Sequence, residues 1–359
     1  MKIVAIIAEF NPLHKGHEYI IGRAREITGC ERVLVIQSGN FTQRAEPAVL
    51  NKFSRAKSAL LAGADAVVEM PTLFATGNAE VFAKAGVKIA CSFENITHLV
   101  FGTEADDIQP LSEIATVLVK HQKRFRALMK PFIKEGLGFD KARCEVVKRL
   151  LPHVSCEEVE RTMLTGNNKL GIEYLRELLR LKSSVVPVGV KRIDSLSATQ
   201  IRKSMHGYPN TSFQTVALHG IRVFLDTKIY NSNQEIVNLI RNLSPPSFKE
   251  LKEHAPTKRY SVSRISRLAL HSVLGVTKKD VRFLYRNTWL PYTNLLAVDR
   301  GMLAILSQNE KTPVLFKGNK VKVRDNKYTK RLREIDARAG ILYEVSCGTK
   351  LEDGVLYRG

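Results

Sequence analysis

Ile3-Val4-Ala5-Ile6-Ile7-Ala8 runs straight into Glu9-Phe10-Asn11-Pro12-Leu13-His14-Lys15-Gly16-His17, and these fifteen residues decide how the rest of the chain is read. An apolar run of this length, stopped by a turn that contains proline, predicts a buried parallel strand feeding a helix. His14 and His17 are three residues apart. A helix starting near Lys15 therefore puts both imidazoles on one side of its first turn, beside backbone N–H groups without helical partners. Gly16 between them lets a ligand approach the main chain closely. A helix N-terminus and two converging donors suit a nucleotide phosphate. The plainer reading is a polar loop without chemistry. A zinc site would need a third ligand, none of convincing spacing follows, and no metal centre is expected.

Outward from this segment, the first two hundred residues alternate apolar runs with helical patterns. Strands are expected at 3–8, 32–37, 66–69, 98–101 and 185–190, and helices at 17–28, 51–62, 78–92 and 108–135. That alternation predicts an α/β fold built on a doubly wound parallel sheet. Ligands of such sheets bind beyond the carboxyl ends of the strands, where strand order reverses. Residues 136–182 read as a helical insertion, with 169–181 its clearest amphipathic piece. Beyond residue 206 the pattern is mainly helical, at 213–225, 233–243, 261–274 and 278–284, with short strands expected between 309 and 328. The expected division is a catalytic domain at 1–206 and a basic, mainly helical domain at 207–359.

A chain of 359 residues with 44% apolar composition has room for two domains and a substantial core. No apolar run is long enough to cross a bilayer, and the first strand begins at Lys2, so no leader is expected. Cys30, Cys91, Cys144, Cys156 and Cys347 are odd in number and form no CxxC pair, which fits a reducing cytoplasm. The net charge of +21 is uneven: residues 1–200 hold 28 Lys and Arg against 22 Asp and Glu, whereas 201–359 hold 28 against 13. A net of +15 in the second part predicts a polyanion partner. Nucleic acid is favoured over a membrane surface, because no basic amphipathic anchor with an aromatic face is evident in the sequence.

Four further stretches are candidates, three just past predicted strands and one, at 165–169, before a predicted helix. Ser38-Gly39-Asn40-Phe41-Thr42-Gln43-Arg44-Ala45-Glu46-Pro47 is a polar loop suited to positioning a substrate, or an ordinary surface loop. Phe101-Gly102-Thr103-Glu104 lets a base or ribose approach at Gly102, or is a tight turn. In Thr165-Gly166-Asn167-Asn168-Lys169 either asparagine caps a helix or reaches a nucleotide. Lys191-Arg192 precedes Leu196-Ser197-Ala198-Thr199-Gln200-Ile201-Arg202, where Ser197 and Thr199 can cap a helix or bind phosphate together with Arg202.

The opening Glu9–His17 segment and the last of these stretches resemble the two signatures, HxGH and ISSTxIR, of the nucleotidyltransferase superfamily related to class I aminoacyl-tRNA synthetases. Ala198 stands where the second signature has a serine. EFNPLHKGH, SGNFTQRAEPAVLNKFSRAKSAL, FGTE, NNKLGIEYL, VKR, SATQIR and the later Pro291-Tyr292-Thr293-Asn294-Leu295-Leu296 together resemble the bacterial tRNA(Met) cytidine acetate ligases of that superfamily. The resemblance implies that acetate attacks the α-phosphate of ATP, supplied as its magnesium complex, and that acetyl then passes to the wobble cytidine of elongator tRNA(Met). It implies catalytic roles for His14 and His17. It implies ATP contacts at Ile7, Ala8, Glu9, Phe10, Asn11, Pro12, Leu13, Lys15, Gly16, Glu18, Tyr19 and Ile20, at Gly102, Asn167 and Asn168, and at Lys191, Arg192, Ser197, Thr199 and Arg202. The basic part would hold tRNA phosphates, with Lys258, Arg259, Arg264, Arg267, Arg282 and Arg286 as candidates. Two other readings stay open here: a small-molecule adenylyltransferase, and a nucleotide-sensing RNA-binding protein without turnover.

Overall fold

The computed structural model describes residues 1–104, 107–193, 198–205, 210–257, 259–316, 319, 322–323, 325–351 and 354–358. Ser197 and Lys258, named above as candidates, lie outside the described residues. The opening apolar run is β1 (Ile3–Ala8), followed by β2 (Arg32–Ser38), β3 (Ala66–Met70), β4 (Ile96–Thr103) and β5 (Val186–Lys191). Side chains of β1 alternate between two cores. Ile3, Ala5 and Ile7 join one and Val4 and Ile6 the other, which is why the run is apolar without interruption. The five strands are parallel, with β1 registered on β2 from Ile3↔Arg32 to Ala8↔Gln37 and on β4 along its other edge.

The order β5-β4-β1-β2-β3 reverses direction beside β1, so the crevice of the doubly wound sheet opens between the carboxyl ends of β1 and β4. Helices cover both faces. Helix Lys15–Thr28 (through Ile21 and Ala24) and helix Lys52–Leu61 (through Ala56, Ala59 and Leu60) fill one side. On the other, helix Ala79–Ser92 brings Gly86 so close to Ile7 that a Cβ would lie 2.7 Å from its Cδ1.

Two expectations need correction. The helix expected at 108–135 is two, Gln109–Lys120 and Gln122–Lys134, broken at His121. His121 is neither glycine nor proline, so the break left no signature in the sequence. The second helix turns away to build a small core of its own from Met129, Ala142 and Val146. The other correction concerns residues beyond 206, which return to the sheet. β6 (Thr293–Asp299) pairs antiparallel with β3, while β7 (Val314–Leu315) and β8 (Leu356–Arg358) pair with β6. The sheet therefore crosses the 206/207 boundary, and β6 covers what would have been an open edge at β3. Between 309 and 328 the one described strand is β7, and the 21-residue helix Lys327–Cys347 follows, capped by Asn326 and stopped by Gly348. That helix also packs onto the first part, where Tyr343 donates to the Ala48 carbonyl and Asp336 accepts from the Thr72 N–H. No described helix is long and apolar enough to cross a membrane.

Arg55, on the buried side of helix Lys52–Leu61, joins the ends of β1 and β2. Its guanidinium donates to the carbonyls of Leu50, Glu9, Ser38 and Gly39 and is completely buried. Beside it the Glu69 carboxylate, at the end of β3, accepts from Lys52 (2.8 Å) and Asn294 (3.0 Å). Gly39 crosses directly above, where a Cβ would lie 2.4 Å from Glu69 Oε1. Arg55→Met should therefore leave four buried carbonyls without donors and destabilise the fold by about 3–5 kcal/mol. A urea midpoint within error of the parent protein would contradict this account.

Candidate active site

His14 and His17 stand at the β1 side of the crevice. His14 is the N-cap of helix Lys15–Thr28, and its Nδ1 accepts from the Gly16 N–H at 3.1 Å. His17 Nδ1 accepts from the His14 N–H at 3.3 Å, which closes a reciprocal capping box. The rings stack at 3.8 Å between centroids, and the edge of Phe10 supports His17 at 4.9 Å. Because each Nδ1 is an acceptor, the proton of each neutral ring resides on Nε2. Burial lowers the pKa of His14, assisted by the nearby charge of Arg192 and opposed by Glu18. Burial, with His14 and Arg192 next in size, lowers His17 to about 3. The pair therefore presents two neutral N–H donors at physiological pH.

The motifs from the other strand ends meet on the far side of the crevice. Glu104 Oε1 accepts from Asn167 at 3.0 Å and pairs with Arg192 at 3.4 Å, while the Glu104 N–H donates to the buried Asn168 at 3.1 Å. Two stretches far apart in sequence thus meet at Glu104, and Arg192 is held at the mouth, where its charge acts on both histidines. Gly102 leaves a gap in which a Cβ would sit 3.9 Å from both Ile20 and Arg192. Lys191 is exposed, opposite Thr103 in the sheet.

Other candidates serve the frame. Arg202 is buried and donates to the Asn11 carbonyl (2.7 Å) and to Thr199 (3.0 Å), tying the SATQIR helix to the turn before the histidines. The Asn11 side chain accepts from the Val49 N–H at 2.8 Å. Glu9 accepts from the Gln43 N–H, and burial is the largest influence on its pKa, which is raised despite Arg55, Arg44 and Arg202. Ile7 spends its side chain in the core against Gly86, so it has only main chain to offer a ligand. Pro12 is buried and Ala8 and Leu13 half-buried, whereas Lys15, Glu18 and Tyr19 point outward. The sequence reading missed Arg55 and Glu69. The available signal for Arg55 was a charged residue placed next to Ala56, on the apolar stripe of its helix.

The polyanion candidates divide. Arg267 is buried, with its guanidinium toward the Gln43 carbonyl, and Arg264 is bound to the Asn231 carbonyl over the ring of Tyr260. Both face inward because helix Val262–Leu274 packs that side against the body of the protein, so neither presents a free charge to a phosphate. Arg259 is exposed but paired with Glu235 at 3.2 Å. Arg282 and Arg286 are exposed and form no ion pair among the described residues. A separate cavity of about 1000 Å³ around Trp289, Asn287 and Lys311 shares no lining residue with the crevice.

The HxGH segment thus caps a helix at the crevice of a doubly wound sheet. The HIGH Nucleotidyl Transferase family model matches residues 1–219 and 225–354. The tRNA(Met) cytidine acetate ligase of Acetivibrio thermocellus is 31% identical, covering 87% of this chain and 86% of that protein. The same-named protein of Caldicellulosiruptor saccharolyticus is 32% identical, covering 96% and 94%. The crystal structure of Thermotoga maritima TmcAL bound with alpha-thio ATP superimposes with a TM-score of 0.90 at 25% identity, covering all of both chains. The chain belongs to the HIGH nucleotidyltransferase family, in its tRNA(Met) cytidine acetate ligase branch. It is an enzyme.

A histidine that stays neutral when folded but protonates when unfolded makes the folded state lose stability as pH falls below its unfolded pKa of about 6.5. The loss should continue toward the folded value of about 3 for His17, at up to ~1.4 kcal/mol per pH unit. His17→Gln should flatten that dependence between pH 7 and 4.5. Urea midpoints that shift equally with pH in both proteins would contradict a neutral, buried His17.

Proposed function

We propose that this chain activates acetate with ATP and passes the acetyl group to the wobble cytidine of elongator tRNA(Met), giving N4-acetylcytidine. The observation that carries the reading is the pair of neutral Nε2–H donors at a helix start, with the charge of Arg192 acting on both. An oxygen of acetate bonds to the α-phosphorus while the bond to the bridging oxygen breaks, and pyrophosphate leaves with the electron pair. Acetate is already an anion, so no base is needed. The step calls for alignment and for donors where negative charge grows, which neutral imidazoles and a guanidinium supply. The exocyclic amine of cytidine then attacks the acetyl carbonyl, AMP leaves, and the amine gives up one proton.

In this reading Gly102 makes room for the adenosine and Asn167, Arg192 and Lys191 line its approach, while Thr199 and Arg202 fix the turn beneath the phosphates. Among the described residues no three His, Cys, Asp or Glu side chains converge to hold a metal. Magnesium accompanying ATP would help neutralise the charge of the phosphates. ATP and tRNA are both cytoplasmic, and we assign the chain to that compartment. The names of the relatives support tRNA(Met) and acetate as substrates.

Incubation with ATP, labelled acetate and total tRNA should label elongator tRNA(Met) only, and only when ATP is present. Formation of a dinucleotide from nicotinamide mononucleotide or phosphopantetheine would overturn the reading in favour of a small-molecule adenylyltransferase. His14→Asn separates the structural role from the chemical one, because asparagine still caps the helix but lacks the Nε2–H. It should keep its circular dichroism and thermal midpoint while acetate-dependent AMP formation falls on the order of 10²-fold. Near-normal turnover would remove His14 from the chemistry.

A further inference from the structure

Helix Gln122–Lys134 carries Lys123, Arg124, Arg126, Lys130 and Lys134 and no acidic residue. All five are exposed, as is Lys120 just before them. None of the five forms an ion pair or a side-chain hydrogen bond among the described residues. In the helical insertion that follows, several charges are matched: Lys148 with Glu145 and Glu160, Lys169 with Asp140, and Arg143 with Glu173. Lys141, Arg149 and Arg161 on the following helices also form no ion pair among the described residues, but they are scattered singly, whereas the five of Gln122–Lys134 share one helix.

The helix is basic and amphipathic with phenylalanines on its apolar side, a combination not recognised in the sequence. Its apolar side is already occupied. Met129 is buried, and Phe125, Leu128, Phe132 and Ile133 pack with it against Ala142 and Val146 of the next helix. No hydrophobic face remains to enter a bilayer, so the surface offers charge alone. Charge without apolar area is the footprint of a phosphate backbone. The helix is roughly 20 Å long at 1.5 Å per residue, enough to follow several phosphates. It leads to Asp140, which is pinned 2.5 Å from Lys169, and Lys169 directly follows the Asn168 that holds Glu104. Through these contacts the segment after the helix is tied to residues at the rim of the crevice.

The geometry points to helix Gln122–Lys134 as a docking surface for the sugar–phosphate backbone of the tRNA substrate, an inference that rests on the function proposed above. It moves part of the polyanion surface from the basic C-terminal part, where Arg264 and Arg267 are turned inward, to a helix that precedes the insertion of the nucleotide-binding part.

The test uses the full-length protein with Lys123, Arg124, Arg126, Lys130 and Lys134 each changed to glutamine. Glutamine is a good helix former, and all five positions are exposed. Filter binding of total tRNA over a range of salt should show affinity reduced at least about tenfold near 100 mM salt. The slope of log K against log salt should become shallower by about 3 or more. Acetate-dependent pyrophosphate exchange should stay within twofold of the parent, which establishes that the variant is folded. A second variant, Arg124→Lys with Arg126→Lys, should bind tRNA as the parent does, since backbone docking needs charge and not a particular side chain. Unchanged affinity and salt slope in the glutamine variant would overturn the inference, as would a parent that does not bind tRNA. Loss of binding to anionic phospholipid vesicles, with tRNA binding intact, would overturn it in favour of a membrane. A parent that binds tRNA but never acetylates it would fail the proposed function alone, and the binding comparison would still decide the surface.

Discussion

Arg55 brings a positive charge into a site without solvent exposure and without an ion-pair partner among the described residues. Burial lowers its pKa to about 10, so it stays charged at neutral pH. What makes a buried cation tolerable is a complete set of acceptors, supplied by three main-chain carbonyls at the ends of β1 and β2 and by that of Leu50. Those carbonyls belong to the residues whose positions matter. Glu9 opens the turn to the histidines, and Ser38 and Gly39 open the loop above Glu69. Carbonyls at a strand end ordinarily turn to water, and here one side chain gathers them. The turn can then hold Phe10 at φ +48° with its ring under His17.

The histidines extend the same economy of parts. Each serves as a helix cap through Nδ1 and keeps Nε2–H for the crevice, so one side chain orients itself by the main chain it stabilises. A cationic pair stacked 3.8 Å apart would repel, and burial with Arg192 nearby keeps both neutral. The net positive charge facing a ligand comes from Arg192, at the mouth, where solvent shares the burden of its charge.

Much of this was legible in the sequence wherever a local rule was enough. Every strand of the parallel set was anticipated to within two residues at each end, because runs buried on both faces are apolar throughout. The two signatures and the FGTE and KR stretches were also visible, each past a strand, and the NNK stretch was visible at a helix start. What escaped was set by distant partners. Thr293–Asp299 has four consecutive apolar residues, which alone do not distinguish a strand from a short helical segment. Its pairing with β3 is what decides it. Arg264 and Arg267 looked like solvent charges because composition cannot say which side of a helix is packed. The unpaired basic helix was overlooked for the converse reason: averaged over 1–200, its charge is cancelled by acids that lie elsewhere.

The antiparallel pairing of β6 with β3 has a consequence for how the chain is made. Asn294 reaches Glu69 across 225 residues, so a ribosome working at 5–20 residues per second leaves the outer edge of β3 bare for roughly 10–45 s. During that interval the nascent sheet offers an unpaired, wholly buried-type strand to any other strand it meets. The closing segment of the protein is thus a protective cover that arrives late, and slow translation or premature termination before residue 299 exposes a surface suited to aggregation.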